Sequence, residues 1–127
     1  MDRHVLRQRF QGVIGVTVTP VDDDYEVDYG RMAELTKWWV ENGLVKGKAM
    51  LKVNSVMGEG PQLRDDEWPA LIRTAVQAAD GKVDVIAGTH CKDTKRTIED
   101  SKKAEDLGAI GLQIAPPLFN DPNQDDI

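Results

Sequence analysis

The sequence predicts an α/β domain built on a parallel sheet, and three observations carry this. Apolar, largely β-branched runs recur at residues 13–18, 49–53, 83–87 and 110–115, nearly continuous rather than alternating. Such runs suit strands buried on both faces. Residues 66–79 follow the i, i+3, i+4, i+7 apolar pattern without a miss, through Trp68, Leu71, Ile72, Ala75, Val76 and Ala79. Between consecutive runs there is room for a helix and two short turns. The order β-α-β-α-β-α-β, with about four strands and three helices, requires right-handed crossovers and hence parallel pairing.

Each element has a local reason. Residues 1–11 are basic and mixed, enough for about a helical turn lying across the bottom of a domain. Residues 13–18 form the first strand, stopped by Thr19-Pro20, and Asp22 to Asp24 begin a solvated loop. Asp28 is placed to cap a helix over residues 29–42, with Met32, Leu35, Trp38 and Trp39 on its apolar face. Asn42-Gly43 ends it, since both residues accept a left-handed conformation. Residues 49–53 are the second strand. Asp65 or Asp66 caps the next helix, and Pro69 sits in its first turn, where a missing N–H costs little. Asp80-Gly81 ends that helix, and residues 83–87 make the third strand. Asp93 or Thr94 caps a third crossover helix running through Leu107, with Ile98, Ser101, Ala104 and Leu107 inward. Residues 110–115 make the fourth strand, which Pro116-Pro117 terminates. The stretch from Leu118 to Ile127 reads as a loop leading into a helix start.

At 127 residues the chain has room for one domain, 1–127. With 40% apolar and 30% charged residues it reads as globular rather than disordered. A net charge of −6 without a basic stripe argues against nucleic acid. No run approaches the length of a membrane span. The single cysteine, Cys91, excludes an internal disulfide and suits a reducing compartment, so the expected location is cytoplasmic.

Chemistry in parallel α/β folds collects at the carboxyl ends of strands. The stretch after the second strand, Asn54-Ser55-Val56-Met57-Gly58-Glu59-Gly60-Pro61, is therefore the leading candidate for a working surface. Its glycines lack the lysine and spacing of a phosphate-binding loop. Backbone N–H groups at Val56, Met57 and Gly58 can still receive a carboxylate. His90 and Cys91 follow the third strand, but successive strand residues point to opposite faces, so they make no metal site. Lys52 borders the second strand and reads as a lysine whose stem packs and whose amine reaches water. No cofactor and no metal is expected.

Several stretches in order resemble the pyruvate-dependent class I aldolases of the dihydrodipicolinate synthase / N-acetylneuraminate lyase family. They are Val18-Thr19-Pro20 with Glu26-Val27-Asp28; Glu41-Asn42-Gly43; Gly58-Glu59-Gly60-Pro61-Gln62-Leu63; Val85-Ile86-Ala87-Gly88 with Thr94 and Ile98; and Leu107-Gly108-Ala109 with Pro116-Pro117-Leu118-Phe119-Asn120-Asp121-Pro122. The resemblance implies an eight-stranded (β/α)8 TIM barrel, of which this chain supplies the N-terminal half. It further implies a lyase that forms a Schiff base between pyruvate, or a related keto acid, and a lysine on the sixth strand. A tyrosine on the fifth strand relays protons, and subunits form homo-oligomers.

Carried over residue by residue, the resemblance assigns substrate binding to Ser55, Val56, Met57, Gly58 and Glu59. Val56 and Met57 stand where the family has a Thr-Thr pair, and Glu59 is expected to hold the loop by accepting backbone N–H bonds. Phe119 takes the place of a tyrosine that reaches a neighbouring subunit's site. The Schiff-base lysine and relay tyrosine have no counterpart, so no residue is assigned a catalytic role and the isolated chain is expected to be inactive. The alternative is a non-catalytic subunit or keto-acid/anion-binding module. On either reading a small keto acid is the ligand, and the partner is another copy or a complementary half-barrel chain.

Overall fold

The computed structural model describes residues 2–90 and 93–116. Its elements are α1 (Arg3–Arg9), β1 (Val13–Val16), α2 (Tyr29–Glu41), β2 (Ala49–Val53), α3 (Glu67–Ala79), β3 (Asp84–Thr89), α4 (Thr94–Asp106) and β4 (Gly111–Ile114). Two short 3-10 turns, Val56–Gly58 and Gly60–Gln62, lie between β2 and α3. The strands form one sheet in the order β1-β2-β3-β4, every neighbouring pair parallel. Helices α2, α3 and α4 are the crossovers, as the alternation predicts, and α1 is an additional helix ahead of the sheet.

The core lies between the sheet and its crossover helices. Leu51, Val53, Val85 and Ala87 pack there against Met32, Leu71, Ile72, Ala75, Ala79 and Ala104. Because side chains alternate along a strand, Met50, Lys52 and Ile86 point to the opposite face. A Cβ on Gly15 would fall 2.4 Å from the Trp39 ring, so Trp39 closes directly onto the β1 backbone. Caps appear at α2 and α4: Asp28 accepts from the N–H of Arg31 at 2.9 Å, and Asp93 from that of Arg96 at 2.8 Å. Asp80 ends α3 in a left-handed conformation.

Three expectations need correction. The apolar face of α2 is built on Met32, Thr36 and Trp39, and Trp38 is exposed. At 3.6 residues per turn, positions 32, 36 and 39 share a face that 38 leaves. For the same reason Ile98 does not point inward. Ala104 is buried, with Thr97 and Ser101 in half-buried positions on its side, whereas Ile98 is 50% exposed. Neither Asp65 nor Asp66 caps α3 through its side chain. Glu67 does the equivalent work one position later, accepting from the Arg64 N–H at 2.8 Å while its carboxylate pairs with the Arg64 guanidinium at 2.9 Å. The strand limits also move: β1 is shorter than expected, and β3 runs on to Thr89.

An ion pair fastens α1 beneath the sheet. Asp84, the first residue of β3, is buried. Arg9 Nε donates to Asp84 Oδ2 at 2.9 Å, the Arg9 guanidinium also reaches Oδ1, and Lys46 Nζ lies 3.6 Å from the same carboxylate. Two cations offset the cost of burying one carboxylate. The Asp84 hydrogen bond holds the Arg9 guanidinium above its ordinary pKa.

Candidate functional site

The carboxyl ends of β2 and β3 converge on one backbone carbonyl, that of Asn54. This residue leaves β2 in the left-handed region (φ 56°) and is buried. A Cβ on Gly60 would lie 2.0 Å from the Asn54 oxygen, and one on Gly88 would lie 2.3 Å from it. Only glycine permits both approaches. His90 Nε2 sits 3.0 Å from the same oxygen. A carbonyl only accepts, so Nε2 carries the proton in this arrangement. The Asn54 Nδ2 donates to the Trp68 carbonyl at 2.9 Å, and the Trp68 indole Nε1 donates to the Gly88 carbonyl at 2.9 Å. Trp68 thus ties the start of α3 to the ends of β2 and β3.

On this base sits the first 3-10 turn. Ser55 is its N-cap: the Ser55 Oγ accepts from the Gly58 N–H at 3.2 Å, and the Ser55 carbonyl accepts from the N–H groups of Gly58 at 3.0 Å and Gly60 at 2.8 Å. Glu59 N–H donates to the Val56 carbonyl at 3.1 Å. From the β1 side, the Thr19 hydroxyl donates to the Gly58 carbonyl, and a Cβ on Gly58 would meet the Thr17 oxygen at 2.5 Å. The loop is thus clamped from both neighbouring strands.

The five residues expected to bind substrate therefore divide. Val56 and Met57 are presented outward, Met57 being 80% exposed, and their N–H groups have no hydrogen-bond partner among the described residues. The first amides of a helical turn are left over in this way. Ser55 is buried and its hydroxyl is engaged in the cap, and the Gly58 amide is spent in the turn. The Glu59 carboxylate, expected to hold the loop by accepting backbone N–H bonds, accepts none among the described residues; what Glu59 contributes there is the left-handed backbone (φ 59°) that joins the two 3-10 turns. Phe119 and Cys91 lie outside the described residues. Among the described residues no three His, Cys, Asp or Glu side chains gather as metal ligands.

A second concavity of about 360 Å³ opens between the loop before α3 and α4, lined by Pro61, Arg64, Trp68, His90, Arg96 and Lys103 among others. Its two arginines are ion-paired. Arg96 bonds Asp65 at 2.9 Å and Asp100 at 3.2 Å, and Asp100 foremost holds its guanidinium above the ordinary pKa. Arg64 bonds Glu26 across from the β1–α2 loop, and that hydrogen bond holds the Glu26 carboxyl below its ordinary range. A depressed carboxylate pKa stabilises the fold above the unfolded-state value, about 4.3, and the contribution is lost as pH falls through the lower folded value. Glu26→Gln should therefore lower the melting temperature slightly at neutral pH, by an amount that shrinks with added salt and vanishes in acid. A melting difference from the parent that stays constant from pH 7 to below the folded pKa would contradict this assignment.

With this geometry in place, the sequence matches the Dihydrodipicolinate synthetase family over residues 9–127. The chain belongs to that family. It is 38% identical over 113 residues to 4-hydroxy-tetrahydrodipicolinate synthase 1 of Halalkalibacterium halodurans, covering 89% of this chain and 37% of that protein. It is 40% identical over 116 residues to the Heliobacterium modesticaldum 4-hydroxy-tetrahydrodipicolinate synthase, covering 91% and 37%. Among solved structures, the dihydrodipicolinate synthase of Aquifex aeolicus superimposes with a TM-score of 0.81 at 34% identity, over 91% of this chain and 38% of that one. YagE, a prophage protein of the family from E. coli K12 solved in complex with pyruvate, gives 0.81 at 27% identity over 92% and 38%. The chain thus spans well under half the length of the relatives it matches. Its four parallel strands correspond to a partial TIM barrel, and among the described residues no helix is long and apolar enough to cross a membrane.

Sequence reasoning missed the part of the site built from Asn54, Trp68 and Gly88. The available signal was the pair Gly60, in the loop after β2, and Gly88, near the carboxyl end of β3, since a close backbone approach is one reason for glycine.

Proposed function

We propose that this chain forms the keto-acid-carboxylate wall of a dihydrodipicolinate-synthase-type aldolase site, and that by itself it makes no Schiff base. The observation that carries the reading is the pair of N–H groups at Val56 and Met57, unpartnered among the described residues and held at the carboxyl end of β2 by a turn clamped from β1 and β3. Two adjacent backbone donors suit a carboxylate, and binding through them needs neither of the hydroxyls of the family's Thr-Thr pair. Family membership supports pyruvate or a close relative as the ligand class, and the pyruvate complex of YagE supports it too. The nucleophile belongs to a later strand of the family barrel than the four present here. Lys52 lies on β2, half-buried, and is not assigned the role.

Borohydride treatment in the presence of pyruvate, followed by intact-mass measurement, tests the chemistry; no added mass is expected. Titration with pyruvate, followed by backbone amide NMR, tests the wall. The Val56 and Met57 amides should shift while those of Gly58 and Gly60, already bonded within the turn, move less. A covalent adduct would overturn the first claim, and amides that stay unmoved at high pyruvate would overturn the second.

A further inference from the structure

Helix α2 ends on the one Asn-Gly pair in the sequence, Asn42-Gly43, and both residues are exposed. Asn42 is the C-cap, and Gly43 follows it in the left-handed region (φ 99°). The Gly43 N–H donates to the Val40 carbonyl at 3.1 Å and the Leu44 N–H to the Trp39 carbonyl at 3.0 Å, the paired bonds of a glycine-terminated helix. The Asn42 side chain belongs to the same closure, since its Nδ2 donates to the Trp38 carbonyl at 2.8 Å. A Cβ on Gly43 would meet nothing within 4 Å, so the space around the pair is open.

We propose that Asn42 is a site of spontaneous deamidation, and that the closed end of α2 restrains the reaction. An asparagine amide is attacked by the backbone nitrogen of the next residue, and a glycine there brings no side chain to hinder ring closure. The Gly43 nitrogen bonds to Asn42 Cγ, the Cγ–Nδ2 bond breaks, and the Gly43 N–H proton leaves with the amide as ammonia. Water then opens the cyclic imide. Cleavage between Cγ and the Gly43 nitrogen yields aspartate at position 42. Cleavage at the backbone carbonyl carbon yields isoaspartate, with the chain rerouted through Cβ and Cγ. Water is the only co-reactant, and nothing is oxidised or reduced.

In the folded chain both reacting nitrogens are occupied, the attacking one on Val40 and the departing one on Trp38. The reaction therefore waits on opening of the last turn of α2. Its product works against reclosure. A carboxylate at position 42 cannot donate to the Trp38 carbonyl, and it adds negative charge, beside the exposed Glu41, at the negative end of the helix. Asn54, the other asparagine among the described residues, lacks both features: it is buried, and serine follows it. This inference involves no keto acid and is independent of the ligand reading.

Incubation of the 127-residue chain at mildly alkaline pH, followed by peptide mapping by mass, tests it. The peptide that carries Asn42 should gain the mass of an amide-to-acid exchange, as a mixture of aspartate and isoaspartate. In guanidinium chloride, with the turn open, the rate should rise roughly tenfold. Asn42→Gln, whose longer side chain closes the ring far more slowly, should show no gain at that place. Asn42→Asp reports on the product: amide hydrogen exchange at Gly43 and Leu44 should quicken, and the melting temperature should fall below that of the parent. No gain at Asn42 in the folded chain after weeks would overturn the site. Equal rates in the folded and unfolded chain would overturn the restraint by α2. An Asn42→Asp variant that exchanges and melts like the parent would overturn the coupling of the product to the helix end.

Discussion

Gly60→Ala should collapse the site loop and destabilise the domain by about 3 kcal/mol, the upper range for forcing extra volume into a packed place. The added Cβ would stand 2.0 Å from the Asn54 oxygen and 2.5 Å from its carbonyl carbon. Those are backbone atoms, so no side-chain rotation relieves the contact. Relief requires moving Asn54, which also carries the bonds from His90 and to the Trp68 carbonyl. The disturbance should therefore spread to the ends of β2 and β3 and to the Val56 and Met57 amides. Gly47→Ala provides the comparison. Gly47 has a positive φ of 81°, but a Cβ there would meet nothing within 4 Å, so its cost is conformational alone, about 1 kcal/mol. Urea midpoints of the two variants, with amide spectra of residues 55–60, check the prediction. Equal midpoints, or an undisturbed loop in the Gly60 variant, would refute it.

Leu51→Ala should cost about 3 kcal/mol, within the range for deleting a fully buried leucine side chain. Leu51 is completely buried in the middle of β2, packed into the core between sheet and helices. A domain has about 5–15 kcal/mol in total, so the variant should melt well below the parent. Ile98→Ala removes an apolar side chain of similar size from α4, yet should change stability by no more than about 0.5 kcal/mol, because Ile98 is half in solvent. Thermal or urea denaturation of the two variants side by side checks the contrast. Similar losses would mean that the face of α4 has been assigned wrongly.

That contrast shows where sequence patterns stop. The α3 face was legible because Leu71, Ile72, Ala75 and Ala79 form an unbroken series, with two turns of neighbours agreeing. The faces of α2 and α4 were legible only in part: Met32 and Trp39, and Ser101, Ala104 and Leu107, lie inward as expected, but Thr36 and Thr97 take up inward positions that hydrophobicity does not mark, while Trp38 and Ile98 turn outward. The buried Thr36 hydroxyl meets its need by donating to the Met32 carbonyl at 2.9 Å. Likewise Glu67 replaces Asp66 at the start of α3, since a longer side chain can reach back to the Arg64 N–H.

The amino-acid order determined the strand–helix alternation, the parallel sheet, the cap at Asp28, the start of α4 at Asp93 or Thr94, and the family. These follow from local periodicity, turn chemistry and motifs that reside in contiguous residues. It also located the loop after β2. Only the tertiary structure decided what that loop can offer. The cap by Ser55, the spent amide of Gly58 and the amides of Val56 and Met57, left without a partner among the described residues, depend on hydrogen bonds. The clamp on Asn54 from Gly60, Gly88 and His90 joins residues up to 36 positions apart. The outer places of β1 and β4 in the sheet of the described residues belong to the same class of fact. A strand's sequence does not say whether it has one neighbour or two, because pairing is a property of the sheet and not of the strand.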